Sequence, residues 1–279
     1  GGRVGCGFVR GIGQESIATN TNPIYNRERF DEAHNVIIKA WTTPGPFRWE
    51  GKHYQYRVVN PWVMPLQKPH PPIWIPGVAS PESVIWAAKH KYPYVALAPP
   101  ISLMEGIFEL YNDTAAKDGW TPTSDHRGYA IRVNVADTDE KAYEEGKNFY
   151  WQLGTSFGVT PPHWQAPPGY ITKAAASGAR EQARTVAGTI TPGGPSLPYD
   201  EAQATYQIIT GSPKTVIEKL KNVIDLIDPG YVVLWGREGP MSHDVAMRSI
   251  DLMAQEVIPA IKEYQADREK GKAAALVKA

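Results

Sequence analysis

Arg10 closes a short apolar run, residues 4–9, in which Gly5 and Gly7 let neighbouring backbone come close, and Gly11 follows it. A guanidinium at a strand end can grip a phosphate or carboxylate through two parallel N–H bonds. Further on, Gly77-Val78-Ala79-Ser80-Pro81-Glu82-Ser83 reads as a strand end, a turn and a helix start, with Ser80 at the N-cap, proline at the first helical position and Ser83 in the first turn. Such a start offers backbone N–H groups and the positive end of a helix dipole, here beside two hydroxyls. Arg10, Ser80 and Ser83 together read as an anion site. Plain capping by the serines and a surface salt bridge for Arg10 would also satisfy the same residues.

Other chemistry is weakly marked. His34, His53 and His126 fall in a helix, a hairpin and a loop, His70 sits between prolines, and His163 is the one histidine whose setting suits a site. No His/Glu pair has metal-ligand spacing on a helix, so no metal is expected. Cys6 lies in the glycine-rich first strand, where a buried inert thiol is expected rather than a nucleophile. No Gly-x-Ser-x-Gly elbow is present, and the glycines at 5, 7, 11 and 13 are followed too late by a helix to bind a dinucleotide. With no acid, base or nucleophile resolved, a bound organic cofactor is the natural source of reactivity.

The elements that must position these residues follow a rhythm. Apolar strands are expected at 3–10, 73–75, 94–98, 129–135 and 230–235, and helices at 27–41, 81–90, 102–117, 139–153, 214–227 and 244–264. Residues 47–59 alternate around Glu50-Gly51 as a β-hairpin, and the proline-rich stretch 61–72 is an extended connector. Residues 154–209, rich in proline and glycine, break the rhythm as an insertion. Strands that are apolar rather than alternating predict a parallel sheet covered by helices. Five units do not close an eight-fold barrel, a doubly wound sheet is the rival, and the chain opens at Gly1 inside a strand, so an N-terminal portion is expected to be missing.

Composition narrows the class. In 279 residues, 29 basic and 29 acidic side chains cancel, which argues against nucleic acid or an anionic membrane as partner. No apolar stretch is long enough to span a bilayer. A single cysteine excludes a disulfide framework and suits a reducing, cytoplasmic setting.

Several segments, in order, resemble the bacterial luciferase-like superfamily of flavin-dependent monooxygenases. They are Gly1-Gly2-Arg3 with the strand through Val9-Arg10-Gly11, Arg27-Glu28-Arg29-Phe30-Asp31-Glu32, and Phe47-Arg48-Trp49-Glu50-Gly51-Lys52-His53-Tyr54. Pro65-Leu66-Gln67-Lys68-Pro69-His70-Pro71-Pro72-Ile73-Trp74, Thr210-Gly211-Ser212-Pro213-Lys214-Thr215-Val216 and Val257-Ile258-Pro259 complete the set. The resemblance implies one (β/α)8 TIM barrel over 1–279, entered at its fourth strand and lacking about the first three, with the insertion at 154–209 over the active site. It implies reduced FMN from a separate flavin reductase, reacting with oxygen through a C4a-peroxyflavin to oxidise a small or medium apolar substrate. It places Arg10, Gly77, Val78, Ala79, Ser80 and Ser83 at the flavin phosphate, Ala79 through its N–H, and makes His163, Trp164 and Tyr170 candidates for substrate contact. The catalytic residues would lie upstream of Gly1. Val9 stands where luciferases proper carry a reactive cysteine, which counts against light emission. A deazaflavin-dependent dehydrogenase or reductase and a non-catalytic flavin binder are the alternatives. Homodimers through barrel helices are common in the superfamily, though no residue here marks one.

Overall fold

The computed structural model describes residues 1–151, 164, 167–170 and 198–276. Five of its strands, β1 (Cys6–Gly7), β4 (Ile73–Gly77), β5 (Tyr94–Leu97), β6 (Arg127–Val135) and β8 (Tyr231–Trp235), pair in parallel in that order. β2 (Phe47–Glu50) and β3 (Gln55–Val59) form the separate antiparallel hairpin expected between β1 and β4. A short strand, β7 (Ile208–Gly211), pairs with the second half of β6, while β8 pairs with its first half.

The helices are α1 (Gly13–Ala18), α2 (Asn26–Thr42), α3 (Pro81–Lys89), α4 (Met104–Lys117), α5 (Asp139–Trp151), α6 (Tyr199–Ala204), α7 (Pro213–Ile227), α8 (His243–Leu252) and α9 (Ile258–Leu276). A π turn, Met253–Val257, joins the last two, so the single helix expected at 244–264 is two helices in line.

Alternation along each strand separates two faces. Ile73, Ile75, Tyr94, Ala96, Tyr129, Ile131, Val133 and Val135 pack into one core with Val84 of α3, Met104 and Tyr111 of α4, and Val216 and Val223 of α7. Each such fully buried side chain contributes roughly 1.5–3 kcal/mol. The opposite face carries Trp74, Val95, Leu97, Arg132, Tyr231, Val233 and Trp235. Trp74 on β4 meets Tyr231 on β8 with ring centroids 4.7 Å apart, although β5 and β6 lie between their strands. That contact requires the sheet to curl, and the result is an α/β half-barrel with a concave inner face. Near its rim Arg132 Nε donates to Glu238 Oε1 at 3.3 Å, both side chains being buried, and the guanidinium lies over Trp235.

Several expectations need correction. The first strand pairs over two residues only, and Val4 and Val9 are exposed, because backbone bonds to β4 extend just from Cys6 N–H on Pro72 O to Phe8 N–H on Trp74 O. Cys6 is consequently half-buried rather than sealed in a core. The fifth expected strand, β8, is an edge strand with Val233 40% exposed, so it is not buried either. A helix, α1, follows Arg10 where none is expected, and within residues 154–209, expected as an insertion, the described residues form α6 and the start of β7. Four residues of strand running straight into a helix start at Pro213 give no periodicity of their own to read.

Gly230 fixes the start of β8. Its N–H donates to Ser124 O and Arg127 O, at 3.0 and 2.9 Å, and a Cβ there would stand 2.5 Å from Ser124 O and 2.8 Å from Asp125 Cα. A backbone wall cannot rotate away, so Gly230→Ala is expected to lower unfolding stability by about 1–3 kcal/mol in denaturant titration. Gly236→Ala, with nothing within 4 Å of its Cβ, is the control and should stay within about 0.5 kcal/mol. Equal effects from the two would refute the close-approach account.

Candidate anion-binding site

Parallel pairing of β1 with β4, Cys6 opposite Ile73 and Gly7 opposite Trp74, sends both chains out at the same end of the sheet. Arg10 leaves β1 there, and residues 77–83 leave β4 and turn into α3. Gly11 takes a left-handed φ of +80° directly after Arg10, a conformation that glycine adopts without strain.

The turn before α3 is strained. Ala79 has φ +74°, in the left-handed region that costs a non-glycine residue roughly 1–2 kcal/mol. Its N–H donates to Tyr94 Oη at 3.0 Å, and burial holds the Tyr94 hydroxyl protonated, well above the usual tyrosine range. Gly77 makes room for that ring: a Cβ there would sit 2.6 Å from Tyr94 Oη. Strain held in place by a buried side chain is a mark of functional turns. Val78 beside it is exposed.

Ser80 stands at the N-cap with extended backbone, yet its side chain does not cap α3. Its Oγ donates instead to Glu82 Oε2 at 2.9 Å, which corrects the capping expectation. Ser83 is half-buried in the first turn, its N–H on Ser80 O. Arg27, at the start of α2, pairs with the same Glu82 Oε2 at 3.2 Å.

Arg10 is drawn into this cluster. Burial first, and then the like charge of Arg27, pull its pKa below the usual arginine value, while Tyr170 and Glu82 oppose the shift. A guanidinium remains charged under any ordinary condition. Its Nε is buried with no hydrogen-bond partner among the described residues. A guanidinium with an unanswered buried donor, within electrostatic reach of a second one, is an arrangement that an anion would satisfy. Arg10 also lines a cavity of about 260 Å³ with Glu15, Ser16, Asn26, Arg29 and Tyr54.

Of the three residues expected near a substrate, His163 lies outside the described residues and Trp164 is 43% exposed. Tyr170 reaches the anion cluster. Its Oη donates to Gly11 O at 2.9 Å and its ring lies under the Arg10 guanidinium, 5.3 Å from centroid to Cζ. The sequence did not mark Arg27 and Glu82, the ion pair that stands within electrostatic reach of Arg10. A helix-start arginine looks like an ordinary solvated charge until the fold turns α2 toward α3.

Known proteins share this arrangement of strands and helices. The chain is 23% identical over 242 residues to the uncharacterised protein y4vJ of Sinorhizobium fredii, covering 84% of itself but 62% of that relative's length. The oxygenating constituent of 3,6-diketocamphane monooxygenase of Pseudomonas putida, a type II Baeyer-Villiger enzyme solved with FMN, superposes with a TM-score of 0.61 at 19% identity, over 91% of this chain and 69% of that one. An F420-dependent secondary alcohol dehydrogenase solved with an F420-acetone adduct superposes with a TM-score of 0.63 at 18% identity, over 92% and 69%. The model of the luciferase-like monooxygenase family matches residues 1–228, and the chain belongs to that family.

Proposed function

We propose that this chain is an FMN-dependent monooxygenase acting on a small or medium apolar substrate, with FMN reduced by a separate reductase. The coarser part of this reading, an oxidoreductase of the flavin or deazaflavin kind, is supported by membership of the luciferase-like monooxygenase family and by the FMN and F420 held by two proteins of the same fold. The observation that carries the finer reading is the buried Nε of Arg10, without a hydrogen-bond partner among the described residues and within electrostatic reach of Arg27, which fits the phosphate of a mononucleotide.

Reduced FMN, when bound, supplies the electrons that activate molecular oxygen. The chain's own residues would do the rest. Arg10 and Arg27 would hold the phosphate by charge-assisted bonds, and Ser80 and Ser83 would add hydroxyl donors. Tyr94 keeps the Ala79 turn in the conformation that presents them. Trp74, Leu97, Val233 and Trp235 on the inner face offer an apolar wall that suits an apolar substrate and keeps water away from reactive groups. A deazaflavin-dependent dehydrogenase is the second reading, favoured by one feature: Arg29 joins Arg10 in lining the adjacent cavity, a basic lining that an acidic cofactor tail would use.

Stopped-flow mixing of the full chain, loaded with reduced FMN, with oxygenated buffer separates these readings. A transient absorbance belonging to neither reduced nor oxidised FMN, outlasting the reaction of free flavin, supports the monooxygenase. Hydride transfer from reduced deazaflavin under nitrogen would replace it with the dehydrogenase. Tight binding of oxidised flavin alone would leave a non-catalytic binder.

Arg10→Ala is expected to weaken FMN binding by about 1.5–3 kcal/mol while riboflavin affinity stays unchanged. Loss of riboflavin affinity with FMN unaffected would show that Arg10 is misassigned. Tyr170→Ala removes both the cation–π contact and the Gly11 bond, and should weaken FMN binding by roughly 1–2 kcal/mol. Tyr170→Phe, which keeps the ring, should lose less; fluorescence titration with FMN and riboflavin reads both.

A further inference from the structure

Glu82 has no part in the phosphate reading above, yet it sits at the centre of that site. A single carboxylate oxygen, Oε2, accepts from Ser80 Oγ at 2.9 Å and pairs with Arg27 at 3.2 Å. It also lies within electrostatic reach of Arg10. Ser80 forgoes its N-cap bond to make this contact. Two of the donors suited to a phosphate, Ser80 and Arg27, are therefore already engaged by an anion of the chain itself.

The side chains of Glu82 and Arg27 are 29% and 32% exposed, at the edge of the core rather than inside it. Glu82 follows Pro81 in the first helical turn, so rotation of its side chain alone carries the carboxylate toward solvent without moving α3. Charge then decides the exchange. Arg10 and Arg27 against one carboxylate leave one positive charge, whereas against the dianion of a phosphate monoester they balance. A phosphate arriving while Glu82 stays in place would face like-charge repulsion at hydrogen-bond range.

We propose that Glu82 is the specificity-determining residue of this site, a resident carboxylate that a phosphate monoester must displace from Ser80 and Arg27. The cluster keeps a single net positive charge when empty, is balanced by a phosphate dianion, and holds a phosphate-bearing ligand loosely enough to exchange. Such a site suits a flavin mononucleotide that arrives reduced and leaves oxidised. The inference rests on the anion-site reading, but it makes a demand of its own.

The test uses the full chain and two probes, inorganic phosphate by isothermal titration calorimetry and FMN against riboflavin by fluorescence titration. Glu82→Gln keeps the size of the side chain and removes its charge. Affinity for phosphate and for FMN is expected to rise roughly three- to tenfold, with riboflavin unchanged, the range between an exposed ion pair and a charge-assisted hydrogen bond. Glu82→Asp, too short to reach both partners, should shift affinity the same way and stands in if the first variant folds poorly. Unchanged or weaker phosphate binding in both variants, with wild type still preferring FMN to riboflavin, would overturn the role of Glu82 and leave the anion site intact. No preference for FMN in wild type would overturn the anion site itself.

Discussion

Two rungs of parallel backbone pairing, Cys6 with Ile73 and Gly7 with Trp74, are what the candidate site depends on. Arg10 and Ser80 are far apart in sequence, and no local interaction brings them together. Because β1 and β4 run in the same direction, both chains emerge at the same end of the sheet, where α/β architectures place their ligands. The glycines and the short pairing of β1 let the two backbones lie side by side, and Arg10 follows within three residues of the last rung.

The cluster built there is poor as a stabiliser. Arg10 feels the like charge of Arg27, it loses solvation without gaining a bond for its Nε among the described residues, and Ala79 sits in a backbone region that disfavours its side chain. Buried and strained polar groups survive only where the surroundings over-determine them. Here Tyr94 supplies that constraint through Ala79, and Tyr170 supplies it through Gly11 and the Arg10 face. The stability lost at the rim is offset by the apolar core behind the sheet, where β4, β5 and β6 pack on α3, α4 and α7.

The inner face follows a different logic from the outer one. On the helix side, alternate residues of β6 are wholly buried aliphatic and aromatic groups. On the concave side, Arg132 and Glu238 form a buried ion pair, and Val233 and Leu97 keep part of their surface open. Burying such a pair stabilises little against an apolar alternative, so its value lies in fixing geometry rather than in adding stability. It ties the loop after β8 to the middle of β6.

The sequence by itself determined the units. Apolar runs marked five of the six parallel strands of the described residues, three-and-four spacing marked α2, and the Ser80-Pro81 start of α3 was legible from helix-end chemistry alone. Arg10, Ser80 and Ser83 could be picked out as anion-binding types for the same local reason. Only the tertiary structure decided which partners they meet. Glu82 on Arg27, Tyr170 on the Arg10 guanidinium, and β7 on the second half of β6 are all contacts between residues far apart in the chain. Periodicity reports which face of an element is apolar, because burial is imposed residue by residue. It carries no record of which charges the packed elements finally bring within a few ångströms of each other.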